Sequence, residues 1–583
     1  MKKVNSTDTV KKYRHAGRWS GYLIILLIIL CITACRVRPD IDQGLFTEPT
    51  AGVTVTDTGL EQPAPTGTES VTEGAEEDHD TNTSPDAVDP NAGQEEEKKT
   101  ASLKPIAVQD VNTDSLIKAV FPDWKGYTDD TLAMNSMFSF TGYRGQGELY
   151  IRVSDELESF RMYVNGNAVD VDGLTPDLCW KLDISSCAQN GRNTVQVSNI
   201  KPSGAKAAVT VYAAYPVVTE GTLEEEGIRP ETLSLISELI QTDIDYGFTS
   251  AQLSIIRNGR LVYENAWGRT NSYLPDGTPC TDSAAVTTDT LYDLASVTKM
   301  FSVNYAIQKL LTDGMIDLDD KITDFLGEEF VTETVQVLTD AKGEKKDPAT
   351  LINLETIREW KSELTVRDLL RHQGGFTADA RYCAPKIYRD DLDEGEDYPE
   401  NPLFAGNGAD EETKLATIEM ICKTPLDYEP GTKTVYSDVD YMILGLVVEQ
   451  ITGEDLDTWL KKNIYGPMGL THVTFNPLKH GFSPEDCAAT ELNGNTRDGL
   501  LDFDGYRTYT LQGEVHDEKA WYSMAGVSGH AGLFSNATDL AKLASVMLSG
   551  GYGNNGFFSR NVMDIFTAPK SENAANWGLG WWR

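Results

Sequence analysis

The sequence predicts a multidomain protein in which an all-β sandwich precedes an α/β domain, an antiparallel sheet flanked by helices. Three observations lead to this fold class. A chain of 583 residues is long enough for two or three domains, each with its own core. Between about residues 116 and 218, short segments of alternating polar and apolar residues are separated by turn residues. From about residue 223, a strand hairpin is followed by several helical segments, which is typical of a sheet covered by helices.

Residues 1–34 have the features of a secretory signal peptide. A basic segment precedes the apolar stretch "GYLIILLIILCITAC", whose apolar run is shorter than the roughly 20 residues that span a bilayer. Because small residues precede Cys35, "ITAC" resembles the cleavage box of a bacterial lipoprotein, in which the cysteine becomes lipidated. We therefore expect export across the bacterial cytoplasmic membrane and lipid anchoring at Cys35, with the folded domains in the extracytoplasmic envelope. The alternative is an ordinary signal peptide with an incidental cysteine.

Residues 35–108 are predicted to be an acidic, disordered tether. The segment has no aromatic residue after Phe46, and it is rich in Pro, Gly, Ser and Thr. Such a composition cannot bury enough apolar area to fold.

Charge and cysteine content exclude several classes of function. The chain has 50 Lys and Arg against 90 Asp and Glu, a net charge of -40, so nucleic acid is a poor partner. Six cysteines follow Cys35 without C-x-x-C spacing, and at most Cys179 and Cys187 could pair. The sequence also lacks H-E-x-x-H and G-x-x-x-x-G-K-[ST], so it gives no support to metal or nucleotide chemistry, and we expect no cofactor.

Residues 109–220 are predicted to form the sandwich. Its alternating segments include "GELYIRV" and "NTVQVSNI", and Asn165-Gly166 is a strong hairpin signal. The module resembles the galactose-binding-type jelly rolls found on envelope enzymes. It could contact envelope glycan, or it could serve as a spacer or docking domain.

Residues 223–583 are predicted to form the α/β domain. The segment 251–268 contains two alternating strands around Asn258-Gly259, a type I′ turn signal. Helical segments follow, with ends at Gly314 and Gly453 and a capping-box-like start at Thr365.

Ser296 is the candidate nucleophile. Lys299 follows it by three residues at the start of a periodic apolar run, so both side chains should lie on one face of a helix. A serine hydroxyl needs a neighbouring base or cation to become reactive, and a partly desolvated lysine can provide it. The same spacing occurs at Ser115, Ser198 and Ser203, but these serines lie at the end of the tether or in sandwich segments.

A series of motifs marks the second domain as a relative of a known family. In chain order they are "SVTK", "TVRDLLRHQGGF", "YEPGTKTVYSDVDYMILGLVVEQITG", "GPMGL" and "GVSGHAGLFSNATDLAKLASVML". Together they resemble the serine β-lactamase and penicillin-binding-protein superfamily, in its class C β-lactamase-like branch with penicillin-binding protein 4B and related esterases. The resemblance implies that Ser296 is acylated, that Lys299 activates it and that Tyr436 transfers protons. It also implies an oxyanion hole of backbone N–H groups.

Three further residues are candidates for substrate contacts: Asp438, His530 and His516. Asp438 stands where penicillin-binding relatives usually have Asn; a carboxylate only accepts hydrogen bonds, so it puts penicillin recognition in doubt. His530 in "GHAG" matches the letters of the family's third motif but not its position, and a structural role is the alternative. His516 could line the cleft or lie in a solvated loop. His372, in "LLRHQGG", is expected to be a structural residue at a helix end, where cations are favoured, and a site role is the alternative.

The sequence thus predicts an envelope serine hydrolase that acts through an acyl-enzyme on D-alanyl peptides of the cell wall, or on small esters or β-lactams. The alternative is a non-catalytic envelope-binding lipoprotein with an inactive hydrolase domain. The family's C-terminal strands and third motif have no counterpart, and residues 577–582 are too apolar for a solvated terminus. We therefore expect a C-terminally incomplete copy of a longer enzyme, whose 251–268 hairpin keeps unpaired edges.

Overall fold

The computed structural model describes residues 103–122, 135–203, 206–339, 344–387, 398–495, 501, 503–568 and 578–581. The predicted signal peptide with Cys35, and most of the predicted tether, lie outside these residues. Among the described residues, no helix combines the length and the apolar content needed to cross a bilayer.

The described residues form nineteen strands. They are β1 (Leu103–Ala107), β2 (Ile117–Phe121), β3 (Asn135–Gly142), β4 (Glu148–Val153), β5 (Ser159–Val164), β6 (Asn167–Val169), β7 (Leu178–Asp183), β8 (Gly191–Lys201), β9 (Val209–Ala213), β10 (Thr219–Glu220), β11 (Ser250–Arg257), β12 (Arg260–Gly268), β13 (Tyr292–Asp293), β14 (Val473–Phe475), β15 (Ala489–Glu491), β16 (Leu511–Gln512), β17 (Leu533–Ser535), β18 (Gly551–Tyr552) and β19 (Asn555–Gly556).

The same residues form eleven α-helices. They are α1 (Pro230–Asp245), α2 (Tyr305–Thr312), α3 (Thr323–Leu326), α4 (Glu329–Thr332), α5 (Leu354–Glu363), α6 (Val366–Leu370), α7 (Glu411–Lys423), α8 (Asp438–Thr452), α9 (Leu456–Leu460), α10 (Ala537–Ser549) and α11 (Arg560–Thr567). Short 3₁₀ segments cover Val108–Asp110, Ala295–Val297, Pro477–His480 and Pro484–Asp486, and π-helical segments cover Met300–Asn304, Lys461–Tyr465 and Lys519–Ser523.

The N-terminal region is an antiparallel two-sheet sandwich, as the sequence predicts. One sheet has the order β1-β7-β4-β9-β2 and the other β3-β8-β5-β6. Alternate residues of the strands point inward, so side chains such as Leu149, Val195 and Val211 are fully buried between the sheets. At the predicted β5–β6 turn, Asn165 and Gly166 have φ angles of 48° and 81°, which suits a type I′ hairpin.

The first strand corrects the predicted start of the sandwich. β1 lies within the stretch assigned to the tether, where it pairs with β7 at the edge of the five-stranded sheet. Its sequence, "LKPIA", contains a proline, which an edge strand tolerates because one side of its backbone needs no partner. Cys179 and Cys187 are both free thiols.

The second domain begins with α1 and the predicted hairpin β11–β12. Asn258 and Gly259 have φ angles of 50° and 72° at its turn. β10 pairs in parallel with β12, so the expectation that the hairpin has unpaired edges is wrong for β12. β11 is an edge strand of this described sheet. Helix α10 packs against β11, and Ala537 at its start donates its backbone N–H to Gln252 Oε1 at 2.9 Å.

Helix α8 forms the centre of the domain's core. Its residues from Val439 to Val448 are all buried, because its sequence is apolar around nearly the whole circumference. It ends at Gly453, as predicted, in the left-handed conformation with φ 68°. The predicted capping box at Thr365 and Asp368 is also present at the start of α6.

A small sheet connects the two segments that carry the candidate site. Its order is β13-β17-β14. β13 ends three residues before Ser296, and β17 begins three residues after His530. The sheet therefore places the "SVTK" and "GVSGH" segments side by side, next to the start of α8.

Candidate active site

Ser296 is exposed on a strained turn between β13 and the helical segments. The preceding Ala295 has a φ of 45°, an unusual conformation for a residue with a side chain. The Asp293 carboxylate holds this turn: Oδ1 accepts the Ala295 N–H at 2.7 Å, and Oδ2 accepts the His516 N–H at 2.7 Å. The nucleophile candidate is thus accessible and fixed to a neighbouring loop.

Lys299 lies beneath Ser296 and is 1% exposed. Its ammonium group donates three hydrogen bonds, to Ser296 Oγ at 3.0 Å, Asp438 Oδ1 at 2.8 Å and the His530 carbonyl at 3.0 Å. Because a lysine has three N–H donors, these partners use all of them. The predicted proximity of Ser296 and Lys299 is therefore present in the structure.

Tyr436 lies beside this pair. The Lys299 Nζ atom is 4.8 Å from the centre of the Tyr436 ring, and Tyr436 is 45% exposed. The ring of His372 packs against it, with ring centres 4.5 Å apart. The tyrosine is thus held by its ring at the mouth of the site.

His372 is buried and neutral. The Ser437 N–H donates to His372 Nδ1 at 3.3 Å, so this nitrogen carries no proton. Asp440 Oδ2 lies 3.0 Å from the same nitrogen, a contact that suits a protonated Asp440 carboxyl as the donor. The pKa directions agree: burial, followed by the charge of Lys299, lowers the pKa of His372 to about 3, and burial raises that of Asp440 well above its usual value. His372 thus supports the Tyr436 ring without adding a charge.

Asp438 lies between two lysines at the first turn of α8. Its Oδ1 accepts from Lys299, and its Oδ2 is 2.7 Å from Lys519 Nζ. Burial alone would raise the pKa of Asp438, but Lys519, His530 and Lys299 together hold it well below its usual range. Asp438 is therefore an ionised carboxylate whose two oxygens are both occupied by cations.

Lys519 extends this network away from Ser296. It is 1% exposed, and its Nζ also lies 3.1 Å from Asp379 Oδ1. Burial would lower the pKa of Lys519, but Asp438, Asp379 and Asp517 raise it. The site thus contains a second, fully buried lysine that the sequence analysis did not identify.

His530 is buried, and its backbone carbonyl, rather than its side chain, contacts Lys299. Its Nε2 donates to Asp517 Oδ1 at 2.9 Å, and its Nδ1 lies 2.7 Å from Ser528 Oγ. These three side chains have the order of a Ser-His-Asp triad, but Ser528 is 2% exposed and substrate cannot reach it. His516 is half-buried at the edge of the site, where its backbone N–H binds Asp293.

The two lysines that pair with Asp438 disfavour metal binding by the cluster of Asp438, Asp517 and His530. Ligand atoms of Asp438, Asp517 and His530 lie within 4.8 Å of one another, close enough to hold an ion. However, the ammonium groups of Lys299 and Lys519 already occupy both Asp438 oxygens. A metal ion would have to displace one of these buried charges, so we assign the cluster to a network of ion pairs.

The other Ser-x-x-Lys segments have a different geometry. Ser198 and Lys201 lie within β8, where residues three apart point to opposite faces of the sheet. Ser115 belongs to the sandwich region, and its Oγ donates to the Asn554 carbonyl at 2.8 Å.

The signals for the missed residues were faint. Lys519 follows His516 by three residues in "EVHDEKAW", but a lysine among acidic residues is typical of a solvated loop. His372 precedes Gln373 and two glycines in "RHQGG". Its φ of 54° could not be predicted from these flanking residues.

Comparison with known proteins identifies the family. Residues 234–583 match the family model described as Beta-lactamase. A relative from Escherichia coli (strain K12) is 43% identical over 371 residues, 63% of this chain and 76% of the relative. One from Salmonella typhi is 42% identical over 369 residues, with the same coverage of 63% and 76%. Both carry the name "Putative D-alanyl-D-alanine carboxypeptidase".

The solved structures that this chain matches include two with 21% sequence identity. One is the octameric penicillin-binding protein homologue from Pyrococcus abyssi, with a TM-score of 0.37, covering 60% of this chain and 64% of that one. The other is EstCE1, a hydrolase with promiscuous acyltransferase activity, with a TM-score of 0.39, covering 59% of this chain and 81% of that one. The assignment rests on the sequence matches: the protein belongs to the beta-lactamase family and is a serine hydrolase.

Proposed function

We propose that this serine hydrolase is a D-alanyl-D-alanine carboxypeptidase of the bacterial cell envelope, with Ser296 as its nucleophile. The observation that carries the proposal is the exposed Ser296 hydroxyl, 3.0 Å from the ammonium group of the buried Lys299, which itself lies 4.8 Å from the centre of the Tyr436 ring. The names of the relatives from Escherichia coli and Salmonella typhi support the choice of substrate.

In the proposed reaction, Ser296 Oγ attacks the carbonyl carbon of the bond between the two D-alanines. Tyr436, acting in its phenolate form, takes up the serine proton and then gives that proton to the leaving amine as the carbon–nitrogen bond breaks, which restores the phenolate. D-alanine leaves, and the peptide remains as an ester on Ser296. Water then attacks this ester: the Tyr436 phenolate accepts a proton from the water and gives it to Ser296 Oγ as the ester bond breaks, which releases the shortened peptide and restores the serine.

Lys299 supports both steps through its charge. Its N–H donates to Ser296 Oγ, which stabilises negative charge on that oxygen as the proton leaves. The backbone N–H of Ser296 belongs to the proposed oxyanion hole, where it would donate to the carbonyl oxygen of the substrate. His372 keeps the Tyr436 ring in place through their ring contact.

Small esters are the second candidate substrates, and Asp438 favours them. An ionised carboxylate that is already paired with two lysines cannot donate a hydrogen bond to an amide carbonyl. Hydrolysis of an activated ester depends less on such a donor than hydrolysis of an amide does, because the leaving group of the ester departs more readily than an amine.

A direct test is to compare the full chain with its Ser296→Ala variant in three assays. These are D-alanine release from a D-alanyl-D-alanine peptide, hydrolysis of an activated ester, and labelling by a fluorescent penicillin and a fluorophosphonate. We expect D-alanine release that Ser296→Ala abolishes, with the label on the Ser296 peptide by mass spectrometry. A label on Ser115, Ser198 or Ser203 would contradict the assignment, and ester hydrolysis without D-alanine release would identify an esterase.

The proposed location is the outer face of the cytoplasmic membrane, with a lipid on Cys35. The basic and apolar segments before Cys35 support this part of the proposal. Cells that express the chain should incorporate labelled palmitate into it, and Cys35→Ala should abolish the incorporation. Equal labelling of both forms would contradict the anchor.

A further inference from the structure

Two lysines bind the same carboxylate at the centre of the site. Lys299 and Lys519 lie 2.8 and 2.7 Å from the two oxygens of Asp438. The lysines differ in position: Lys299 also contacts Ser296, whereas Lys519 contacts Asp379 on the far side of Asp438. Both are 1% exposed, so each needs a buried anion to remain charged.

We infer that Lys519 is a positioning residue, which fixes the Asp438 carboxylate against Lys299 and thereby controls the acylation of Ser296. This inference rests on the proposed role of Ser296 as nucleophile. Lys519 is too buried to touch substrate, so its effect passes through Asp438.

The contacts explain why Asp438 needs a second cation. Its side chain is 15% exposed, and without its partners it would favour the protonated form. A protonated Asp438 would attract Lys299 less strongly and could donate a proton of its own, which would let the Lys299 ammonium group move away from Ser296. Lys519 prevents this change because it binds the second oxygen.

The charged groups around Asp438 set the expected pH dependence. Lys519, His530 and Lys299 favour its ionised form in that order, while Asp517 and Asp440 lie close to the same cluster. Burial raises the pKa of Asp440 well above its usual value, which favours its uncharged form. Removal of Lys519 takes away a positive charge that lies 2.7 Å from Asp438 Oδ2, so the pKa of Asp438 should rise.

The identity of residue 438 is consistent with this pairing. With an asparagine at this position, Lys519 would have no anion on this side and would be a buried charge balanced mainly through Asp379. Asp438 and Lys519 therefore form a matched pair, and a change in one should alter the effect of a change in the other.

The test is the rate at which a fluorophosphonate labels Ser296, measured from about pH 5 to about pH 9 in the full chain. Lys519→Met should lower the rate about 10- to 100-fold at neutral pH, because the Lys299 ammonium group loses its fixed partner. It should also move the acid limb of the pH profile to higher pH. Lys519→Arg, which keeps the charge, should leave the acid limb near its original position.

Lys361→Met is the matched control. Lys361 is another fully buried lysine, and its Nζ donates to the backbone carbonyls of Cys422 and Thr424. Its replacement should destabilise the protein without changing the labelling rate of the folded fraction or the acid limb. Lys519→Gln serves as a second neutral variant if Lys519→Met does not fold, and the same shift of the acid limb is expected.

A double-mutant cycle tests the coupling. The double variant, Asp438→Asn with Lys519→Met, should be labelled by the fluorophosphonate about tenfold or more faster than expected if the two single effects multiplied. Additive effects, or an acid limb that neutral variants of Lys519 leave unmoved, would overturn the inference. A loss of rate that follows only the unfolded fraction would also overturn it. If Ser296→Ala retains labelling and turnover, the proposed function itself fails, and that result is distinct from all of these.

Discussion

Gly529 is predicted to be required for full activity because it lies where the loop before β17 meets helix α8. A β-carbon built on Gly529 would lie 2.1 Å from the Tyr441 carbonyl and 2.6 Å from Val303 Cγ2. Real β-carbons essentially never approach other heavy atoms below 3.0 Å, so Gly529→Ala requires the loop to move by about 1 Å. The obstacle is a helix backbone, which cannot rotate away as a flexible side chain could.

This displacement should reach the candidate catalytic lysine. His530 follows Gly529 directly, and its carbonyl accepts a hydrogen bond from Lys299 at 3.0 Å. Since a misplacement of about 1 Å can lower a rate about 100-fold, Gly529→Ala should reduce kcat by about 10- to 100-fold. The crowding should also cost about 1–3 kcal/mol in the free energy of unfolding.

Gly445→Ala provides the control from the opposite side of the same contact. Its β-carbon would lie 3.2 Å from the Gly529 nitrogen, so the neighbours need to move by only a few tenths of an ångström. Alanine also favours the helix by up to about 1 kcal/mol, which offsets part of this cost. We therefore expect a small change in both kcat and stability.

The assay measures ester hydrolysis and thermal unfolding for both variants. Gly529→Ala should lose activity even at temperatures where circular dichroism shows it to be folded, while Gly445→Ala should resemble the parent. A Gly529→Ala protein with the parent's kcat would refute the argument that this close contact positions the His530 carbonyl.

Three further predictions concern buried charges. Asp438→Asn introduces an amide donor, so the ratio of β-lactam to ester turnover should rise; an unchanged ratio would contradict the role given to this carboxylate. Because burial raises the pKa of Asp440, the parent should lose stability with rising pH, by about 1.4 kcal/mol per unit, between the unfolded and folded pKa of that group. The free energy of unfolding of Asp440→Asn, measured with urea across this pH range, should not show the loss. If the stabilities of the parent and the variant change with pH in parallel, the prediction is contradicted. Burial lowers the pKa of Lys361 to about 7, so the unfolded chain binds more protons between pH 7 and 10.5, and the parent's stability should rise with pH in that window, by about 1.4 kcal/mol per unit. Lys361→Met should abolish the rise, and equal slopes for the two proteins would disprove the assignment.

Local sequence was sufficient wherever one short segment determines its own structure. The Asn258-Gly259 turn and the capping box at Thr365 depend on residues within a few positions of each other. The same holds for Ser296 and Lys299, which a helical turn brings together whatever surrounds them. The family motifs then indicated that Tyr436 belongs to the same site as Ser296. The two residues are too far apart along the chain for their spacing to predict this.

The missed features depend on contacts between distant segments. Lys519 meets Asp438 and Asp379 only after folding, and no periodicity or motif records that pairing. The strand β1 escaped notice for a related reason. Its five residues, "LKPIA", show no polar–apolar alternation and include a proline, so hydrogen bonds to β7 rather than its own sequence pattern make it a strand.

Unusual backbone conformations surround the candidate site. A π-helical segment begins directly after Lys299, and another begins at Lys519. Positive φ angles occur at Ala295 before the candidate nucleophile Ser296, at His372, whose ring packs against Tyr436, and at Ala525 ahead of "GVSGH". Each such conformation costs of order 1–3 kcal/mol and persists only where surrounding contacts enforce it.

The ion pairs of the site are the contacts that can enforce these conformations. Asp293 fixes the turn at Ala295, and Asp438 joins the segments that carry Lys299 and Lys519. The strain and the charge network therefore depend on each other: removing a buried charge releases the backbone, and the backbone holds the charges too close together to hydrate. This dependence predicts that neutral variants of Lys519 lose activity through displacement of Lys299, whereas Lys361, which contacts two backbone carbonyls and the Phe330 ring, does not share that effect.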